Sequence, residues 1–466
     1  MTELGVWLVS MVGLPLAVVV ASRSVLELEV LRRFAVACAG ALLVAAALPL
    51  AGGPLAELAL PWPVASGSAW APLLGPSVIR TDVLSSVLLP VVAALWLLTV
   101  AVTPRSRLDR AGIRRTAIAT LIISFAFATT SPLLLAIAWV GSSVPYLLAL
   151  GKPQFRRARR VARVYLGAST VLLVAGVALV HLPGVPASAA DAGLPLLVVA
   201  ALIRKGIFPF HAWVPEVFER GPMGPAVLLS TPQLGSYVTV VLIVPHASTP
   251  ALRVIAILAL ITAVYGAALA LIQRDARRGL GYLFVSQSAL VMAGLDCTSE
   301  LAVAGSMVLW VSSALGFAGM ARCVLVLEAR RGRLDLSRFH GGYAQMPTLA
   351  LGFLVLGLAC TGFPGTLGFI GQELLVDGAT ETFAVLGFCV VAAAALTGLA
   401  VLRMYFSLFC GRSEGGPSLR ALRGERLVFG ALVAVLIIGG LVPGPLLSSR
   451  VAAAAQVLEG RGRAGY

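Results

Sequence analysis

Residues 204–215, RKGIFPFHAWVP, put two cations, a proline and a histidine at the end of an apolar run that begins near Leu194. In hydrocarbon, a charged or broken segment is tolerated only where it faces a bundle interior or a hydrated cavity. Pro209 lacks a backbone donor and crowds the preceding turn, so the helix is expected to open near residues 205–209, with Arg204 and Lys205 at the edge of the opening. Lys205 and Lys152 are the only lysines in the chain. Arginine stays charged when buried, whereas a buried lysine can release its proton, so the lysine is the better carrier of proton chemistry. His211 follows Pro209 by two residues, where an imidazole suits a hydrated relay. Plainer readings stand beside these: cations snorkel at helix ends, and a lone histidine often sits satisfied in a core.

A second interruption is LACTGFPGTLGFIGQELLVDG, residues 358–378. Pro364, Gly365, Gly368 and Gly371 are expected to loosen a helix, with Gln372, Glu373 and Asp377 just beyond. Paired Gly/Pro-broken spans in the two halves of a chain are the sequence sign of an inverted-repeat transporter. Other polar residues within apolar runs are Ser230 and Gln233, with another proline, Pro232, between them, then Ser286, Gln287 and Ser288, and one cation, Arg403. Interhelical hydrogen bonding accounts for the serines and glutamines without an ion path.

The elements that must position these groups follow from composition. The 466 residues are 59% hydrophobic and 12% charged, too few charges to clothe a water-soluble body of this size. At about 20 apolar residues per crossing, about fourteen membrane helices fit. They centre near residues 13, 41, 93, 121, 141, 172, 200, 235, 262, 286, 313, 358, 396 and 439. The net charge of +15 would suggest nucleic acid in a soluble protein. Here the basic residues gather in alternate gaps: Arg32 and Arg33; Arg105 to Arg115; Lys152 to Arg163; Arg274 to Arg278; Arg330 to Arg333; and Arg412, Arg420, Arg423 and Arg426. The gaps at 52–79, 130–131, 183–192 and 296–300 are almost free of them. The positive-inside rule explains this pattern without a polyanion. It places the odd-numbered gaps in the cytoplasm and both termini outside, in a multi-pass protein of the cytoplasmic membrane.

No gap holds a soluble catalytic domain; the longest, about 52–80, has room for a short hairpin or loop. The N-terminus lacks a basic n-region and reads as a first membrane helix. Six scattered cysteines form no CxxC or Cys/His cluster, which argues against zinc, iron–sulfur and disulfide frameworks. Nucleotide-binding glycine motifs are absent as well. No cofactor and no metal are therefore expected, and an all-α polytopic membrane protein is.

Six segments now carry a resemblance. RTDVLSSVLL (80–89), AWVGSSVPYLLALG (138–151), RKGIFPFHAWVP, GPMGPAVLLSTPQLGSY (221–237), LGYLFVSQSALVMAGL (280–295) and TGFPGTLGFIGQELL (361–375) follow one another as in the antiporter-like subunits of respiratory complex I, membrane-bound hydrogenases and Mrp-type antiporters. The resemblance covers nearly the whole chain. It implies fourteen helices holding two inverted five-helix repeats, with helices 7 and 12 broken. The implied division is 1–112 for spans one to three, 113–246 for the first repeat, 247–412 for the second, and 413–466 for the last span and tail.

It also implies a mid-membrane proton route through charged residues, and here the chain departs from the pattern. The glutamate expected after the tryptophan of span five is Val140; the lysine of span seven is Arg204, with Lys205 one place on. The span-eight position falls at Gln233 or Leu234. The span-ten histidine is Gln287, and the span-twelve charge is Gln372, with Glu373 adjacent. Valine and glutamine do not titrate, so the path is expected to be divergent. The resemblance implies a proton- or cation-translocating membrane subunit that works with other membrane subunits. With no redox centre, it is at most part of a quinone-reducing enzyme. The alternative is a structural or coupling subunit, in a hydrogenase-like complex or a two-component inorganic-carbon uptake system, with a soluble redox or zinc-bearing partner.

Overall fold

The computed structural model describes residues 3–52, 55–63, 68–382, 384–412 and 423–463; Arg420 lies outside them. The chain opens with α1 (Glu3–Ala21) and α2 (Leu28–Ala47). In the following gap sit β1 (Ala59–Pro61), α3 (Ala71–Leu74) and β2 (Ser77–Arg80), the two strands paired antiparallel. Then come α4 (Ser85–Val102), α5 (Arg110–Phe127), α6 (Pro132–Ala149), α7 (Arg156–His181), α8 (Ala187–Lys205) and α9 (Trp213–Arg220). The middle of the chain forms α10 (Met223–Ser230), α11 (Leu234–Val238), α12 (Thr249–Ile272), α13 (Ala276–Leu295) and α14 (Glu300–Arg331). It ends with α15 (Pro347–Cys360), α16 (Leu367–Thr382), α17 (Ala384–Phe409), α18 (Arg423–Leu441) and α19 (Gly444–Arg463).

Among the described residues, eleven helical segments are long and apolar enough to cross a bilayer. Helices dominate because a lipid-facing backbone has no water to satisfy its N–H and C=O groups, and a helix satisfies them internally. The outer surface agrees with that solvent. Val9 and Val20 on α1, Val164 and Val171 on α7, and Val385 and Phe388 on α17 are all exposed. In water such faces would drive aggregation; in lipid they cost nothing.

α14 is the axis, buried along nearly its whole length and packed against α4, α13, α15, α16 and α19. Its approach to α16 depends on glycine. A Cβ on Gly305 would lie 2.6 Å from the Leu375 nitrogen, and one on Gly371 would lie 2.7 Å from the Leu309 nitrogen. Both are backbone contacts that no rotamer change relieves, the small-residue packing that draws membrane helices together. Gly371 is therefore a contact point within a regular α16 and does not loosen it. The break before α16 is confined to 361–366, where Gly362 and Gly365 take positive φ.

Arginines from separate gaps meet at one end of the bundle. Glu328 pairs with Arg107 at 3.3 Å and lies 3.8 Å from Arg333. Arg278 reaches Glu219 at 2.7 Å, Arg157 reaches Glu216 at 2.9 Å, and Arg330 reaches Glu425 at 2.8 Å. Glu216, Glu328 and Glu425 are buried, while most of their arginine partners reach towards the surface. The value of these pairs is topological: the gaps rich in arginine share one side. The residues after α18 form one further helix, α19, whose buried Arg450 donates to the carbonyl of Leu84 at 3.4 Å and to that of Val83.

Candidate functional site

α8 ends at Lys205 because Gly206 takes a left-handed conformation (φ 71°) and donates back to Ile203 at 3.1 Å, a glycine C-cap. A side chain could not replace that glycine, since its Cβ would meet Val214 at 2.8 Å. The opening thus starts one residue after the lysine, and Pro209, in a cis bond to Phe208, lies outside the helix. Arg204 and Lys205 occupy the last turn of α8, where the helix dipole favours cations.

The two cations face different neighbours. Arg204 is buried, donates to Ser142 at 2.7 Å and to Ser143, and lies over the Trp139 ring with 5.2 Å to its centroid. All three partners are on α6, and Val140, on the same helix, is exposed. Arg204 is thus held by two hydroxyls and an aromatic face, with no carboxylate within 4 Å of it among the described residues.

Lys205, 2% exposed, donates to the Gln233 Oε1 at 3.0 Å and to the Ser236 hydroxyl. A second chain break positions these acceptors. Between α10 and α11, Pro232 interrupts the helix and Gln233 takes φ 53°, a left-handed backbone rare outside glycine and often found at functional sites. The carbonyl of Pro232 is satisfied by Trp310 Nε1 at 3.0 Å, and a π turn follows at Thr239–Ile243. The sequence reading noted Pro232 but placed the breaks only in spans seven and twelve. Gly235 lets the lysine pass, since a Cβ there would lie 2.6 Å from Lys205 Cγ. From Gln233, an amide donor continues to Ser313 on α14 at 3.3 Å.

α13 flanks this group. Ser288 donates to the backbone carbonyl of Lys205 at 3.4 Å, and Ser286 donates to Ala263 at 2.8 Å and lies 3.4 Å from Thr397. Gln287 between them is buried, with neither amide atom bonded to another protein group. At the end of α13, Asp296 is 1% exposed, its two carboxylate oxygens have no hydrogen-bond partner, and it acts electrostatically on Lys205. Sequence reasoning passed over Asp296 as part of a short loop. The available signal was an acid in a gap almost free of Lys and Arg.

The remaining candidates disperse. Gln372 is buried with its Nε2 unbonded, packed beneath Gly362, while Glu373 next to it is exposed. Arg403 donates to the carbonyls of Leu271 and, at 3.1 Å, Gln273, so it caps the C-terminus of α12. His211 stacks on Phe208 and meets Tyr265 edge-on at 5.2 Å between ring centroids, and its Nδ1 is buried without a partner. No hydrogen bond among the described residues joins it to Lys205. Chemically, the centre is one buried ammonium held by neutral oxygens, with amides and hydroxyls leading away and a buried carboxylate in its field.

The family profile described as NADH:quinone oxidoreductase/Mrp antiporter, TM, matches residues 161–397, half of the chain. NADH-quinone oxidoreductase subunit N 2 of Solidesulfovibrio magneticus is 28% identical over 275 residues, 57% of each chain. A chain of respiratory complex I from Thermus thermophilus superposes with TM-score 0.84 at 21% identity, covering 98% of this chain and 99% of that one. A chain of the Mrp complex from Dietzia sp. superposes with TM-score 0.83 at 18% identity, covering 98% of both chains. The likeness to the solved structures is one of fold. The matches span about half the length of the curated relatives.

Proposed function

We propose that this chain, which belongs to the NADH:quinone oxidoreductase/Mrp antiporter transmembrane family, is an antiporter-like integral membrane subunit of a proton- or cation-translocating complex, with Lys205 as its central charge carrier. The supporting observation is the placement of Lys205. It sits at a helix end inside the bundle, held among the described residues by Gln233 and Ser236, with Asp296 in its field. A lysine bound by neutral oxygens can exchange its proton along hydroxyl and amide groups, whereas a tight carboxylate pair would lock it. The route assigned here runs from Lys205 through Gln233 and Ser313 on one side and past Gln287 and Asp296 on the other. His211, Glu373 and Arg403 lie off it.

The same reading takes the chain to have fourteen crossings, with inverted repeats at 113–246 and 247–412, flanked by 1–112 and 413–466. It sets the arginine-rich end in the cytoplasm, both termini outside, and the chain in the cytoplasmic membrane beside other membrane subunits. A structural or coupling role is the second reading, favoured by Val140 facing outward and by the uncharged Gln287.

Proton flux in proteoliposomes of the assembled complex separates the two. Lys205→Ala is expected to cut flux at least tenfold while assembly persists, and unchanged flux would sink the conduction reading in favour of the coupling one.

A further inference from the structure

A second feature, remote from Lys205 and independent of the conduction reading, lies at the arginine-rich end. Between the inner ends of α4, α5, α6, α10, α13 and α14 there is a cavity of about 440 Å³. Five cations line it, Arg107, Arg115, Lys152, Arg277 and Arg322, against one acid, Asp109. Their neutralisation is uneven. Arg107 and Arg277 share the buried Glu328, and Arg115 lies 3.5 Å from Asp109. Lys152 and Arg322 have no carboxylate within 4 Å among the described residues.

Arg322 is the telling residue. It is 1% exposed and donates to Thr99 at 2.7 Å, to Thr103 at 3.4 Å and to the Gly224 carbonyl at 3.3 Å, while its Nε has no partner. A buried guanidinium answered only by hydroxyls and a carbonyl is costly unless an anion joins it. Arg107, in the loop before α5, points the same way: burial, with Arg277 beside it, pulls its guanidinium below the ordinary arginine value.

We propose that this cavity binds an anionic phosphate group. Arginine forks match phosphate oxygens in pairs, and Lys152 adds a point charge at the rim. Basic pockets between membrane helices at this depth are placed to take phosphate-bearing headgroups. Apolar neighbours such as Val100, Ile113 and Leu325 line the same space, where glycerol or acyl carbons would fit. A soluble phosphate offers the same oxyanion.

Native mass spectrometry of the full chain, stripped of lipid in mild detergent, tests this with three probes: phosphatidylglycerol, phosphatidylcholine and inorganic phosphate. The wild type is expected to take one saturable phosphate-bearing ligand. Arg322→Gln and Lys152→Gln are each expected to weaken it about tenfold, the loss of one charge-assisted contact. Phosphatidylglycerol binding that phosphate does not displace assigns the site to a lipid headgroup; saturable phosphate binding that displaces the lipid assigns it to a free oxyanion. Binding equal to phosphatidylcholine, or unchanged in both variants, overturns the proposal. Lys152 is exposed, so its variant remains readable if Arg322→Gln fails to fold.

Discussion

Adding a single methyl group at Gly235 should disable Lys205 without touching it. The new Cβ would sit 2.6 Å from Lys205 Cγ, 3.3 Å from Cδ and 3.6 Å from the Ala201 carbonyl. Carbon pairs prefer about 3.5–4.0 Å, so the stem must move by roughly an ångström near its root. Cγ is the second carbon of the side chain, and a displacement there swings Nζ away from Gln233 and Ser236. Each lost bond to a charged donor costs about 1.5–3 kcal/mol. The close contacts are with side-chain carbons of Lys205 rather than with backbone, so the lysine stem turns before the helices part. Gly235→Ala in the assembled complex should therefore lower proton flux to the level of Lys205→Ala. The double variant should be no worse than either single one, since both remove the same interaction. Gly430→Ala, where a Cβ meets nothing within 4 Å, is the control and should leave flux intact. Wild-type flux in Gly235→Ala, or losses that simply add in the double variant, would refute the reasoning.

Two further outcomes follow from the packing. Gly371→Ala sets a Cβ 2.7 Å from the Leu309 nitrogen of α14, which only a backbone shift can relieve. It should cost about 1–3 kcal/mol, measured as earlier unfolding of the detergent-solubilised chain in sodium dodecyl sulfate. Glu328→Gln removes the 1%-exposed carboxylate that binds Arg277 at 2.8 Å and Arg107 at 3.3 Å. Leaving a buried guanidinium unpaired should cost about 3–5 kcal/mol in the same titration, and a loss under 1 kcal/mol would count against a buried pair.

The membrane fold was legible because its signals are periodic and redundant: long apolar runs, and arginine in every second gap. The break after span seven was legible too, although the residue responsible is Gly206, whose left-handed cap acts before Pro209 does. The break at Gln233 was not read, because a glutamine with φ 53° has no signature in composition; Pro232 beside it was the only trace. Gln233 stood out as a polar residue in an apolar run, yet its bond to Lys205 joins residues 28 positions apart, which no spacing rule reaches. Arg403 and Glu373 show the converse. Both were read from residue type, and three-dimensional placement turned one into a helix cap and the other onto the surface.

The substitution of Val140 for an acid has a physical consequence of its own. A fixed guanidinium at Arg204 without a counter-charge would repel any cation approaching Lys205. Ser142, Ser143 and the Trp139 face solvate Arg204 from α6, the side opposite in role to the Gln233 acceptors of Lys205. They lower its energy but leave its sign. With valine at position 140, Arg204 thus stands as a fixed positive charge in the last turn of α8, one residue before the ammonium of Lys205.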